Sequence, residues 1–274
     1  GVTFNDADVH AVYFDGNDLF MAEGTSAAGF TAPAVLERVG VNGGKLVLPE
    51  KRERVALTSF AANSVTVSDK QVYATSGSAG GLHVLALTGL TSSAVKTLGD
   101  ARWVDYNDAN VVVAQGTPGR LSVYAKSTLA LANTWTFKGA DVEQAKTTVR
   151  VLGNKALIAA GTGGVQLLSI ATGKVVGSVP VPVVSGVLAA NSVANAADGK
   201  EDLIYASNGE AGVYAIQAST NVEKATSEDN ITLSVLGKLQ FTGAQSVNHV
   251  AFDGNTLVVA AGAGGVKIVS VKWE

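Results

Sequence analysis

A strand pair recurs six times along this chain: an apolar run ending in Ala, a glycine-bearing turn, and a second apolar run. The first copy is Leu19-Phe20-Met21-Ala22-Glu23-Gly24, followed by the longest turn of the set. The second is Val72-Tyr73-Ala74-Thr75-Ser76-Gly77, leading to Gly80-Gly81-Leu82-His83-Val84. The third is Val112-Val113-Ala114-Gln115-Gly116, leading to Gly119-Arg120-Leu121-Ser122-Val123. The fourth is Leu157-Ile158-Ala159-Ala160-Gly161, leading to Gly163-Gly164-Val165-Gln166-Leu167. The fifth is Ile204-Tyr205-Ala206-Ser207-Asn208-Gly209, leading to Gly212-Val213-Tyr214-Ala215-Ile216. The sixth is Val258-Val259-Ala260-Ala261-Gly262, leading to Gly264-Gly265-Val266-Lys267-Ile268. The marker alanines stand at 22, 74, 114, 159, 206 and 260, so successive copies lie 52, 40, 45, 47 and 54 residues apart. A four-stranded propeller blade takes about 40–50 residues, whereas a β-helix coil or a leucine-rich repeat is much shorter.

Each unit has room for two more strands. Upstream, Val12-Tyr13-Phe14 precedes Asp15-Gly16-Asn17, and Val250-Ala251-Phe252 precedes Asp253-Gly254-Asn255. Asp-Gly marks a tight hairpin, because such turns need positive φ. Downstream, Ala94 to Leu98, Asn133 to Phe137, Lys174 to Val179 and Ser234 to Phe241 read as outer strands. The expected fold is all-β: one β-propeller domain over residues 1–274, with six four-stranded antiparallel blades and seven blades as the alternative. The marker Ala suits the crowding of inner strands near the axis. The last unit reaches only a third strand, Gly265 to Trp273. Val2-Thr3-Phe4 is therefore expected to pair beside it and close the ring, which removes an exposed strand edge.

Composition narrows the function classes. Charged residues make up 16% of the chain, against a usual share of about 25%. Net charge is −3 and no Lys/Arg cluster sits among aromatics, so no nucleic-acid partner is expected. No apolar run approaches the ~20 residues of a membrane helix; the longest, Val175 to Ala190, is broken by Pro180, Pro182 and Gly186. The lack of cysteine excludes disulfides, thiolate metal sites and a cysteine nucleophile. Gly161-Thr162-Gly163-Gly164 and Gly262-Ala263-Gly264-Gly265 are not phosphate loops, since no Lys-Ser/Thr follows and the next element is a strand. No cofactor is expected. The chain opens Gly1-Val2-Thr3, which suits a protease scar, so a targeting segment is expected to have been removed.

Alignment on the marker Ala puts His10, Asn63, Arg102, Thr147, Ser192 and Asn248 at the axial start of the inner strands, to within about one position. All six are polar. A ring of this kind suits a small polar ligand or ion, and it equally suits a wet channel mouth with no ligand. The turns at the same end carry Glu23, Ser76, Gln115, Thr162, Asn208 and Glu210. Glu23 and Glu210 are the carboxylates among them; a glycosidase needs two carboxyl groups about 5–10 Å apart, while exposed turn acids need no such role. Phe30 is an expected apolar contact on the first, longest turn, and the face loops singled out are Glu23, Phe30, Gln115 and Glu210. His10 is the best placed histidine for chemistry. His249, one step further along its strand, is expected to point to the opposite face, and His83 on a third strand to take an inter-blade or surface role. No two histidines share metal-ligand spacing, so no metal site is expected, and no Gly-x-Ser-x-Gly elbow occurs. No catalytic residue is assigned. Glu50-Lys51-Arg52-Glu53-Arg54 reads as a solvated outer strand or connection, and Trp103, Trp135 and Trp273 as packing residues.

Leu157 to Ile170 and Leu257 to Val271 resemble the LVIVD-type repeat of bacterial propeller proteins. Gly265-Val266-Lys267-Ile268-Val269-Ser270-Val271 is similar to that family's Gly-Leu-x-Ile-x-Asp-Val stretch, with Ser169 and Ser270 where the family has Asp. No Trp-Asp dipeptide of the WD40 kind ends a strand. The resemblance implies a secreted or cell-surface protein, often a lipoprotein of the bacterial envelope, with no established catalytic set. The expected location is extracellular, periplasmic or cell-surface, and the expected state a monomer. The leading reading is a non-enzymatic propeller that binds an unknown protein or small polar ligand, or acts as a scaffold, through its axial face. The alternative is a hydrolase or lyase acting on a carbohydrate or peptide there; a partner covering the whole face is a third reading.

Overall fold

The structure, a computed structural model, describes residues 8–24, 34–48, 50–59, 61–77, 79–116, 118–139, 146–182, 190–197, 202–226, 228–242 and 245–272. Six small antiparallel sheets, each in chain order, form the blades of a six-bladed β-propeller. Val2-Thr3-Phe4, proposed to close the ring, lie outside the described residues. The chain divides into two compact units, residues 1–105 and 106–274.

The first unit holds two blades. Blade 1 contains β1 (Asp8–Phe14), β2 (Asp18–Gly24), β3 (Val35–Asn42), a short extension β4 (Lys45–Leu46) and β5 (Arg52–Ala56), with β5 paired to β3 as the outer strand. The charge run at 50–54 thus ends in an outer strand, as expected. Blade 2 contains β6 (Ser64–Val67), β7 (Gln71–Thr75), β8 (Gly81–Ala86) and β9 (Ser92–Thr97). Blade 3 follows, and its first strand crosses the boundary between units: β10 (Ala101–Tyr106), β11 (Asn110–Gln115), β12 (Arg120–Ala125) and β13 (Leu131–Thr136). In the second unit, blade 4 contains β14 (Thr148–Leu152), β15 (Lys155–Ala159), β16 (Val165–Ser169) and β17 (Val175–Val179). Blade 5 contains β18 (Ser192–Ala197), β19 (Asp202–Ser207), β20 (Val213–Ala218) and β21 (Leu233–Leu239). Blade 6 has three strands among the described residues: β22 (His249–Asp253), β23 (Thr256–Ala260) and β24 (Val266–Ser270).

The repeated glycines build one turn several times over. After β15, Ala160 donates to the Gly164 carbonyl, and Gly163 and Gly164 donate back to Ala160 and Gly161. The same three bonds join Asn208, Gly209, Ala211 and Gly212 after β19, and Ala261, Gly262, Gly264 and Gly265 after β23. Two residues three apart must take positive φ, +57° and +79° at Gly161 and Gly164, which glycine does without a Cβ penalty. At Gly212 the demand is doubled, because a Cβ there would lie 2.2 Å from the Leu239 carbonyl.

The turn fixes a register that the marker Ala alone misses. Ala160, Asn208 and Ala261 hold equivalent places in it, so Ala159 and Ala260 match Ser207, and Ala206 sits one step early. Ser76, which donates to Gly81, likewise makes Thr75 the equivalent of Ala159. Blades 2 and 5 carry one extra residue between marker and glycine, as in Tyr-Ala-Thr-Ser-Gly. Because strand side chains alternate, that residue turns Ala74 and Ala206 to the other face.

Blades are joined in two ways. Apolar faces interlock: Leu157, Ala159 and Leu167 of blade 4 pack with Ile204, Ala206 and Ile216 of blade 5. Tyr205 and Val213 on the other face of blade 5 pack with Val250, Leu257 and Val259 of blade 6. Phe20 and Leu36 similarly meet Val65, Val72 and Leu85. Each buried Leu, Ile, Val or Phe among these contributes about 1.5–3 kcal/mol of transfer free energy. Backbone bridges also run from the turn glycine of one blade to the residue leading into the next: Gly24 to Ala61, Gly77 to Ala101, Gly161 to Ala190, and Gly209 to Val247. A Cβ on Gly24 would lie 2.6 Å from Ala61 Cα, so small residues are needed on both sides of the bridge. Trp135 plays the expected packing role, donating from Nε1 to the Ile170 carbonyl and covering Gly173.

Candidate functional site

Within each blade the first and second strands are antiparallel neighbours, so the start of the first strand and the turn after the second lie at the same end of that blade. Of the polar ring read from sequence, His10 and Asn63 lie in the first unit and hydrogen-bond the next blade. His10 Nδ1 donates to the Ala62 carbonyl at 2.9 Å, and Asn63 Nδ2 donates to the Ala101 carbonyl at 3.0 Å. In the second unit the equivalent donor is Asn191, whose Nδ2 reaches the Val247 carbonyl at 3.1 Å. Ser192, one residue on, pairs with Ser207 through the backbone. The polar residue at the strand start thus reaches the carbonyl just before the next strand start. Arg102 pairs with Asp100 through Nε at 2.5 Å. Thr147 is buried, with no hydrogen-bond partner for its hydroxyl. Asn248 accepts a long bond from Ser246.

The face-loop assignments need correction. Glu23 and Gln115 are strand residues, at the next-to-last position of β2 and the last of β11, and both are buried. Phe30 lies outside the described residues. Glu210 is an exposed turn residue, as expected, and its carbonyl accepts from Gln240. Glu23 is fully buried beside an equally buried Glu37 on β3, and the two share Arg54: Nη2 lies 3.4 Å from Glu23 Oε2 and Nε 3.0 Å from Glu37 Oε2. Arg52 adds a bidentate pair to Glu37 at 2.7 and 2.9 Å. The outer strand β5 is solvated along its backbone while its arginines neutralise acids beneath it. A buried Arg-bound carboxylate cannot approach a substrate, so the Glu23 half of the glycosidase reading is lost.

The register shows that this pair of positions repeats. In blade 2 it holds Ser76 and His83, with His83 Nε2 at 2.8 Å from Ser76 Oγ and 2.9 Å from Thr58 Oγ1 at the end of blade 1. His83 therefore sits between blades, as expected, and burial pushes its pKa below the usual histidine value. In blade 3 it holds Gln115 and Ser122, bonded at 2.8 Å. In blade 4, Gln166 donates to and accepts from the Lys138 backbone at the end of blade 3. The sequence singles out Glu23, Ser76, Gln115 and His83 from this set but does not show that in blades 2 and 4 it fastens one blade to the exit of the one before. The signal was present: His83, Ser122, Gln166, Tyr214 and Lys267 all follow the Gly-x-apolar or Gly-apolar step of the third strand. Ser76 and His83 have the contact of a nucleophile and its base, yet both are buried and open to no substrate.

Two basic residues depart from the repeat. The residue leading into the strand start is Ala62, Ala101, Ala190 or Val247 in blades 2, 3, 5 and 6, all fully buried; in blade 4 it is Lys146, which is exposed. The inner-strand residue facing the second strand's last position is Ala11, Ser64, Thr148 or Ser192 in blades 1, 2, 4 and 5, and His249 in blade 6. Alternation along β22 sends Val250 into the core and His249 to the opposite face, as expected. Burial, with a further contribution from the charge of Lys146, takes the His249 pKa down to about 4. Burial also lowers Lys146, although its side chain reaches solvent.

Among the described residues no group of three His, Cys, Asp or Glu residues is arranged to hold a metal ion, and no helix is long and apolar enough to cross a membrane. A cleft of about 40 Å³ between blades 4 and 5 is lined by Val165, Pro180, Asn208 and Tyr214; that is room for a water or two. At the opposite end, buried Lys155 donates to the Ala225 carbonyl and Asp202 accepts from the Val222 amide. These two bind the loop after β20.

No family model and no curated protein matches the chain. Solved structures do. A chain of the mitotic checkpoint complex is similar over 98% of this chain and 76% of its own, with 14% identity and a TM-score of 0.70. Hydrazine synthase of Kuenenia stuttgartiensis is similar over 98% of this chain and 78% of its own, with 14% identity and a TM-score of 0.69. The C-terminal WD40 domain of Sif2 is similar over 100% of this chain and 84% of its own, with 11% identity and a TM-score of 0.60. At these identities the likeness is one of fold, and it agrees with the blade architecture built above.

Proposed function

We propose that this protein is a non-catalytic binding or scaffold propeller, of the cell-envelope kind its repeat resembles, and that it engages its partner at the end where the inner strands start. The observation that carries the reading is the fate of the polar groups at that end. His10, Asn63 and Asn191 hydrogen-bond neighbouring blades, and Glu23 is neutralised by Arg54. Groups committed in this way hold a rigid platform and are poorly placed for acid–base work, whose players need contact with the reacting atoms. A rigid platform carrying variable turns is a common way to present a binding surface. The propeller neighbours are consistent with this, since one of them was solved inside a multiprotein complex; fold alone does not assign function.

The test is site-specific photo-crosslinking in the native host. Glu210, in the turn after β19, and Asp253, in the hairpin at the other end of β22, each receive a photo-reactive residue. Adducts of one defined mass from position 210 and none from position 253 are expected. Equal labelling at both ends, or turnover of a glycoside and peptide panel above background, overturns the reading.

A further inference from the structure

We propose that His83 is a proton-operated latch between blades 1 and 2: the neutral ring fastens the junction and the protonated ring loosens it. The latch lies at the end of these blades proposed to meet the partner, and only its consequence for binding rests on that reading.

The geometry supplies the two states. His83 Nε2 lies 2.8 Å from Ser76 Oγ of its own blade and 2.9 Å from Thr58 Oγ1 at the end of blade 1. With the ring proton on Nδ1, Nε2 accepts from both hydroxyls; once Nε2 carries a proton it donates to one of them and the other bond is lost. His83 and Ser76 are buried, so the protonated ring is also a cation held out of water. Burial accordingly pushes the His83 pKa below the ordinary histidine value. The repeat shows that fastening does not require a histidine. The same place holds Ser122 in blade 3, Gln166 in blade 4, Tyr214 in blade 5 and Lys267 in blade 6. Gln166 ties blade 4 to the Lys138 backbone with no titratable group. Among the five side chains histidine alone changes charge between about pH 5 and 8.

The surroundings offer the protonated ring no compensating charge. His83 pairs with Ala74, which packs toward blade 1. The charged and titratable groups that cross this junction are engaged elsewhere along it. Arg38 and Glu53 pair with each other, and Arg38 reaches the Leu87 carbonyl past the far end of β8. The Tyr13 hydroxyl reaches the Val67 carbonyl at the far end of β6. His10 bonds the Ala62 carbonyl just before β6 begins. Phe20, Ala22, Leu36 and Val55 turn toward blade 2, so alternation sends Glu23, Glu37, Arg52 and Arg54 to the other face of blade 1. Tyr73 and Lys96, each one step from a residue level with His83, take the other face of blade 2 in the same way.

An open junction takes up the proton at the ordinary histidine value of 6.5, and the closed one only below it. Closure is therefore complete above about pH 6.5 and is lost as pH falls, by up to about tenfold at pH 5.5. The experiment measures amide-exchange protection by NMR in the whole chain at pH 7.5 and 5.5 and constant ionic strength. The reporters are Ala62 and Ser76, whose amides donate to the Glu23 and Gly81 carbonyls. Gly161 and Ala190, bonded to each other between blades 4 and 5, serve as the reference. Expected are a several-fold fall in the reporter-to-reference ratio at pH 5.5 in the parent and a flat ratio in H83Q, which carries the glutamine that blade 4 uses. The His83 ring resonance of the parent is expected to titrate below 6.5, a measurement that does not depend on the folding of any variant. An unchanged ratio in the parent, an equal fall in folded H83Q, or a ring that titrates at or above 6.5 overturns the latch. These readouts need no partner, and the crosslinking pattern from position 210 is read separately, so the binding face can stand while the latch falls.

Discussion

Replacing Arg54 by methionine tests the buried charge cluster of blade 1. Two fully buried carboxylates, Glu23 and Glu37, face two arginines that are about one third exposed: 35% for Arg54 and 32% for Arg52. Arg54 spans both acids, at 3.4 and 3.0 Å, while Arg52 makes its bidentate pair with Glu37. R54M leaves Glu37 its bidentate partner and leaves Glu23 without the cation above it. Breaking a buried pair from one side costs about 3–5 kcal/mol. Water reaching the edge occupied by the arginine replaces part of that, so a loss of about 2 kcal/mol is expected after discounting for screening. For a chain of this size that corresponds to a fall in Tm of about 4–8 °C. The assay is thermal and urea unfolding of R54M, E23Q and the double variant. Neutralising the stranded acid restores charge balance, so R54M/E23Q is expected to recover at least half of the R54M loss. A Tm for R54M within 1 °C of the parent, or strictly additive single changes, would refute the claim that Arg54 acts by neutralising Glu23.

Gly212→Ala meets both a φ of +89° and a carbonyl 2.2 Å from the new Cβ, so it is expected to lower stability by about 2–3 kcal/mol; a urea midpoint unchanged from the parent contradicts the turn geometry. Asn63→Ala frees the Ala101 carbonyl and removes one blade-to-blade bond, an expected loss of about 1–2 kcal/mol, visible as faster amide exchange around residues 101–104. Histidine 249 should shape the acid limb of stability. Its folded pKa of about 4 lies below the ordinary histidine value of 6.5, so the unfolded chain binds the proton first as pH falls. Stability from this group is then flat above about pH 6.5 and is lost as pH drops toward 4, with about 2 kcal/mol gone by pH 5. H249N is expected to remove that part of the loss, and identical pH profiles for the parent and H249N would show that the ring is not shielded.

The parts of this molecule legible in the sequence are those where the backbone itself makes the demand. A turn that needs two positive-φ residues three apart writes glycine into blades 4, 5 and 6, and a bridge with a 2.6 Å Cβ clearance writes glycine and alanine. Six blades follow from counting the copies that carry an alanine and a glycine after the second strand. The marker alanine was a weaker guide, because one added residue in blades 2 and 5 preserves the turn and slides the alanine off its place. The buried polar pairs were harder still. Glu23 with Glu37, Ser76 with His83 and Gln115 with Ser122 share a position and no chemistry, and the partner that completes each, such as Thr58 for His83, is set by a different element. Polar character at the strand starts was therefore visible, while its expenditure on the neighbouring blade was not. That expenditure changes where function should be sought. Ring positions that every blade fills with a backbone-bonding or small residue are accounted for by the fold. Lys146 escaped notice because the alignment stopped at Thr147, one residue later, and because a single lysine among six polar residues looks ordinary. Its meaning comes from the alanines and valine in the same place elsewhere. In a repeat whose regular positions are occupied with holding the blades together, the places where a copy gives up a packing residue for a polar or charged one are those the fold does not account for.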